Sequence, residues 1–205
     1  NAYQTACGAA DMISHILEVY FNMEQDLYML DCFMEGMLKT IIKYTPVALK
    51  EPENYEARAN LMWTSSWAIN GFIDGGKRQA WSCHPIEHEL SAIYDITHGL
   101  GLAIITPRWL EYCLDETTVS KYVQFATNVF GVDSSLPPMD IAREGISKLS
   151  EFLFDTIGLQ RTFTEVGIKA EDFPIMARKA CGNKILKGFK PLTQQDIEAI
   201  FQMCL

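Results

Sequence analysis

Apolar residues recur at intervals of three and four along nearly the whole chain, as in Met12, Ile16, Val19 and Tyr20, and again in Leu30, Phe33, Met34, Met37, Leu38 and Ile41. That spacing lays one apolar stripe along a helix of 3.6 residues per turn, and the period-two alternation of a half-buried strand is nearly absent. The pattern predicts helices over residues 4–22, 25–44, 53–74, 85–93, 99–113, 117–130, 138–157, 170–182 and 194–203. Thr45-Pro46, Gly75-Gly76, Pro137-Pro138, Gly158, Gly182-Asn183 and Pro191 supply the breaks, because proline disfavours helix continuation and glycine permits a turn. Thr193 and Asp196 are spaced as a capping box for the last helix. No repeat, low-complexity tract or linker interrupts the chain. Without strands to alternate with the helices, the expectation is an all-α fold forming a single domain over residues 1–205.

Composition narrows the function. The 205 residues suffice for one sizeable core. The formal net charge is −9 and no basic cluster exceeds Lys77-Arg78 or Arg178-Lys179, so a phosphate backbone is repelled and nucleic acid is not expected as a partner. Six cysteines, Cys7, Cys32, Cys83, Cys113, Cys181 and Cys204, are too dispersed for a zinc ribbon, a redox Cys-x-x-Cys or an iron–sulfur cluster. A reducing cytoplasm fits them. No apolar run approaches the ~20 residues that span a bilayer, and the N-terminus carries no signal-peptide pattern, so no membrane partner is expected. The first residue is Asn, and helical patterning begins by Tyr3, which reads as a piece of a longer protein.

Candidate chemistry lies with the four histidines. His84, His88 and His98 fall in one short run, His84-Pro85-Ile86-Glu87-His88-Glu89-Leu90-Ser91-Ala92-Ile93-Tyr94-Asp95-Ile96-Thr97-His98-Gly99, and His15 follows Asp11 by one helical turn. Side chains at i and i+4 leave one helix face about 5–6 Å apart, close enough to chelate one ion; Asp11 with His15 and His84 with His88 are such pairs. Taken alone, an Asp/His pair at this spacing more often makes a surface hydrogen bond, and a lone histidine among apolar residues is more often a satisfied core residue. The joint pattern carries more weight. On one straight helix His84 and His98 would stand roughly 21 Å apart, so for both to reach one ion the chain must reverse between them. Tyr94 to Thr97 is the place for that reversal, with Asp95 and Thr97 as turn formers and His98 at the corner. Pro85 starts or kinks the preceding helix. Three imidazoles and a carboxylate suit Fe²⁺ or Zn²⁺ without choosing between them, and suit Mg²⁺ or Ca²⁺ poorly.

The segments Gly8-Ala9-Ala10-Asp11-Met12-Ile13-Ser14-His15, His84 to Ala92 continuing to His98-Gly99-Leu100-Gly101-Leu102-Ala103, and Pro107-Arg108-Trp109 resemble the iron-containing (group III) alcohol dehydrogenases, in particular their NADPH-linked butanol dehydrogenase branch. Weaker echoes, from Lys50-Glu51-Pro52 to Pro191-Leu192-Thr193, follow in order along the chain. The resemblance implies a divalent metal, iron or zinc, held by Asp11, His15, His84 and His98, the last two being the ends of a His-x3-His-x9-His pattern. It places His88 in the cleft as a catalytic or cofactor-contacting residue. It further implies NADP(H) or NAD(H) as cofactor and an alcohol/aldehyde pair as substrate, and it leaves room for a homo-oligomer. The α/β dinucleotide-binding half of that family has no counterpart here, since Gly99-x-Gly101 lacks both a third glycine and a preceding strand. The chain is therefore expected to be the helical C-terminal metal-binding domain, inactive alone, with the N-terminal cofactor domain of the same protein as its partner.

Two other classes share part of this pattern. A helical His/Asp metal-dependent phosphohydrolase typically carries a His-Asp dipeptide, which is absent, and a non-catalytic helical interaction domain would hold the histidines as structural residues. Cys83 could ligate a metal but packs more often as a small hydrophobe. Trp63, Trp67, Trp81 and Trp109 could line a pocket, though a core is their commoner place. Glu87 and Glu89 flank His88 and read as a solvated face or as first-turn partners of the helix dipole.

Overall fold

A computed structural model describes residues 1–24, 26–76, 81–182 and 184–205. Gln25, the expected start of the second helix, lies outside them, as do the Lys77-Arg78 pair and Asn183 of the Gly182-Asn183 break. Among the described residues the fold is all-α, with one isolated antiparallel bridge between Leu186 and Leu192. The helices are α1 (Ala2–Tyr20), α2 (Tyr28–Lys50), α3 (Tyr55–Ile69), α4 (Cys83–Tyr94), α5 (His98–Cys113), α6 (Val119–Phe130), α7 (Pro138–Ser150), α8 (Phe173–Ala180) and α9 (Gln194–Met203). A wide π turn, Glu151–Thr156, continues α7.

α1 and α5 form the centre. Every residue of α5 from Gly99 to Pro107 is buried, as expected of a helix apolar on all sides. α1 lies on it and also packs on α2, α3 and α4, while α7 and α9 cover other sides of α5. Tyr20, Phe21, Trp109, Tyr122 and Phe125 meet in the interior, where the Phe21 and Tyr122 rings are 4.7 Å apart.

Two helix ends differ from expectation. α2 runs through Thr45-Pro46 to Lys50: proline costs one backbone hydrogen bond, but Thr45 Oγ1 donates to the Ile41 carbonyl at 2.7 Å, and Thr45 and Ala48 are fully buried, so packing holds the turn together. α3 stops at Ile69, earlier than Gly75-Gly76, because Gly71 at φ +85° already leaves helical geometry. The capping box at α9 is present: Thr193 Oγ1 accepts from the Asp196 N–H, and Asp196 Oδ2 accepts from the Thr193 N–H at 2.7 Å. Thr193→Ala is expected to cost about 1 kcal/mol, read as a lower thermal midpoint with native helix content.

Among the described residues, no helix is long and apolar enough to cross a membrane. All six cysteines are free, and all but Cys32 are buried.

Candidate metal centre

The chain reverses where the residue types allow it. α4 ends at Tyr94, Asp95 adopts the left-handed conformation at φ 51° with its N–H donating to the Ser91 carbonyl, and extended Thr97 leads into His98, the first residue of α5. Aspartate tolerates that conformation better than most side chains. The reversal brings His98 back to the N-terminal part of α4, which carries His84. α1 crosses α5 closely at Gly99, where any Cβ would overlap the Cys7 backbone carbonyl, and it also packs on α4.

Asp11 Oδ1 is the focus of the cluster. His15 Nε2 lies 3.4 Å from it, His84 Nε2 3.6 Å and His98 Nε2 3.8 Å. Donor atoms of Asp11, His84 and His98 all fall within 4.8 Å of one another. His15 joins them through Asp11 and by its ring, 4.3 Å from that of His84. A tetrahedral site with bonds of ~2.1 Å has edges of ~3.4 Å, close to the three separations from Asp11 Oδ1, although His15 is not among the residues whose donor atoms all lie within 4.8 Å of one another. Asp11 Oδ1 and His84 Nε2 are buried with no hydrogen-bond partner among the described residues, a costly state for polar atoms that a cation between them would relieve. The residues present fit a divalent transition metal.

Electrostatics agree with that focus. Burial pushes the Asp11 carboxyl up, but contact with His84 and the surrounding imidazoles bring it below its ordinary range. Burial pushes His84 down, yet Asp11 and Glu18 outweigh it and hold the imidazole at about 9. His98 is raised by its hydrogen bond to Glu87 against a smaller effect of burial, and His15 is lowered by burial and by neighbouring His84.

His88 is exposed and belongs to the same cleft, of about 430 Å³, which is lined by His15, Trp81, His84, Pro85, His88 and His98. Its ring stands 5.5 Å from that of His98 and 6.1 Å from that of His84. Of the tryptophans, Trp81 faces the site, edge-on to His15 at 5.2 Å and to His84 at 4.9 Å; Trp109 is in the core, and Trp63 is exposed on α3 against Trp67. Cys83 is fully buried, and burial pushes its thiol well up, as for a small core residue.

Glu87 is a correction. It was expected on a solvated face, yet it is 0 % exposed, because α5 closes over that side of α4. Its Oε2 meets His98 Nδ1 and its Oε1 accepts from Ser91 Oγ at 2.6 Å. Glu89 is only partly exposed and pairs with Lys179 at 3.8 Å. Sequence reasoning also passed over Glu18, whose Oε2 meets His84 Nδ1. The signal was available: Glu18 is the one charged residue in the run Ile16-Leu17-Glu18-Val19-Tyr20-Phe21.

Residues 5–205 match the family model of the Fe-containing alcohol dehydrogenase family, C-terminal. The chain belongs to that family. It is 45 % identical over 201 residues to the NADH-dependent butanol dehydrogenase A of Clostridium acetobutylicum, covering 97 % of this chain and 51 % of that protein. Over 177 residues it is 33 % identical to the NADPH-dependent aldehyde reductase YqhD of Escherichia coli, covering 86 % of this chain and 45 % of that one. The solved substrate- and cofactor-free form of the E. coli reductase superposes with a TM-score of 0.92 at 29 % identity, over 100 % of this chain and 54 % of that one. The chain thus spans about half the length of the curated relatives it matches, and its helices share the fold of the corresponding part of that structure.

Proposed function

We propose that this chain is the metal-binding half of an NAD(P)H-dependent alcohol dehydrogenase or aldehyde reductase, with Asp11, His15, His84 and His98 holding one divalent ion, iron in preference to zinc. The carrying observation is the convergence of three Nε2 atoms on Asp11 Oδ1 at 3.4–3.8 Å. Family membership supports the reaction class, and the paired naming of relatives as butanol dehydrogenases and an aldehyde reductase supports a small alcohol/aldehyde couple.

When bound, the metal supplies Lewis acidity toward the alcohol or aldehyde oxygen. The chain's own side chains do the rest of the placing. Trp81 and Pro85 form the apolar wall of the cleft, which orients an alkyl chain and keeps water away from the reacting carbon. His88, exposed on the cleft side of α4, contacts substrate or cofactor and passes a proton to solvent. The nicotinamide donor is held by a dinucleotide-binding domain N-terminal to this one. The free cysteines suit a cytoplasmic enzyme.

The test is metal content and turnover in the protein expressed from its complete coding sequence. One equivalent of metal per chain is expected, butyraldehyde-dependent NAD(P)H oxidation is lost on chelation, and Fe²⁺ or Zn²⁺ restores it. Full activity in metal-free protein would remove the assignment. No observation favours a phosphohydrolase or a purely structural role for the histidines.

A further inference from the structure

Behind the imidazoles stand two buried carboxylates, and each is built into place. Glu18, 5 % exposed, turns its Oε1 to the backbone N–H groups of Ser82 at 2.7 Å, of Cys83, and of His84 at 3.3 Å, at the start of α4. Its Oε2 takes His84 Nδ1. Glu87 spans from Ser91 Oγ to His98 Nδ1 and lies in a slot on α5 that exists because residue 101 is glycine: a Cβ there would stand 2.6 Å from Glu87 Oε1 and 2.7 Å from its Cγ. A carboxylate oxygen accepts the hydrogen bond, so each Nδ1 is the donor and each Nε2 is the nitrogen left facing Asp11, where a cation would take its lone pair. His15 is built differently, its buried Nδ1 having no hydrogen-bond partner among the described residues.

We propose that Glu18 and Glu87 are positioning residues of the metal centre, fixing the tautomer and ring orientation of His84 and His98, and that Gly101 is the slot that admits the Glu87 carboxylate. The inference rests on the metal-site reading above and deepens it. A hydrogen-bonded carboxylate also raises the basicity of the opposite ring nitrogen, so these residues set how tightly the ion is held as well as where. Glu18 has a second role as a cap on α4, so Glu87 and Gly101 give the cleaner test.

Metal-stripped protein from the complete coding sequence is titrated with Co²⁺ alone, following its d–d absorption, and the thermal midpoint of the metal-free form is recorded for each variant. Glu87→Ala is expected to weaken Co²⁺ binding about 100-fold and to change the absorption envelope; Glu87→Gln, which keeps a carbonyl acceptor without the charge, about 10-fold. Gly101→Ala leaves both carboxylates in the chain yet displaces one, and is expected to fall in the same range. A folded Glu87→Ala with parental affinity and spectrum overturns the proposal. Should Glu87→Ala not fold, parental binding by both Glu87→Gln and Gly101→Ala overturns it equally. A parent that binds no Co²⁺ sinks the metal-site reading and this inference with it, whereas a parent that binds alongside indifferent variants sinks the inference alone.

Discussion

Asp11→Ala is expected to lower kcat/KM for the aldehyde by at least about 10³-fold and to yield protein purified without its metal. Lewis-acid stabilisation is worth several kcal/mol, and each ~1.4 kcal/mol is a factor of ten in rate. Asp11 matters most among the four because its Oδ1 is the neighbour shared by all three imidazoles, and because it alone brings a negative charge to the ligand set. Three neutral imidazoles without it hold a dication less tightly. The side chain is 36 % exposed, so the metal-free variant is expected to melt within about 1 kcal/mol of the metal-free parent. Metal analysis, steady-state kinetics and thermal unfolding on the same preparation check all three statements. Undiminished activity with a full equivalent of metal would end the assignment.

Gly99→Ala should destabilise the fold by about 3 kcal/mol, at the upper end of overpacking costs, with a midpoint lower by roughly 6–12 °C. The added Cβ meets the carbonyl and Cα of Cys7, which belong to the backbone of α1 and have no rotamer by which to yield. Relief requires α5 to move off α1. That movement carries His98, one residue before the substitution, away from Asp11, one turn beyond Cys7, so weaker metal binding should accompany the loss of stability. Gly8→Ala is the matched control: on α1 beside Cys7, nothing lies within 4 Å of its new Cβ, and stability is expected to hold or rise slightly with the better helix former. Equal midpoints for the two variants would contradict the crossing geometry.

Much of the architecture was legible along the chain because most of the helices are amphipathic and long enough for a 3.6-residue period to stand out. The corner at Asp95 was legible for a different reason: two histidines can share an ion only if the helix between them breaks, and turn-forming residues mark one place for it. What failed were decisions between a local preference and a packing gain. Pro46 disfavours helix locally, but the buried side of α2 extends beyond it, and tertiary contacts prevail. Glu87 looked solvated because glutamate usually is, and the neighbours that bury it come from a different helix.

Local sequence alone was enough to determine that this chain is helical, where most of its helices lie, and that Asp11 with His15 and His84 with His88 stand one helical turn apart, since periodicity and one-turn spacing are properties of a single segment. It also sufficed for the likeness to the iron-containing alcohol dehydrogenases. Only the tertiary structure decided that Nε2 atoms from α1, α4 and α5 face the same oxygen of Asp11, that Glu18 and Glu87 sit behind two of them, and that the glycines at 99 and 101 make the room. Those facts depend on how closely three helices approach one another, a quantity set by side chains far apart in the chain and therefore absent from any one stretch of it.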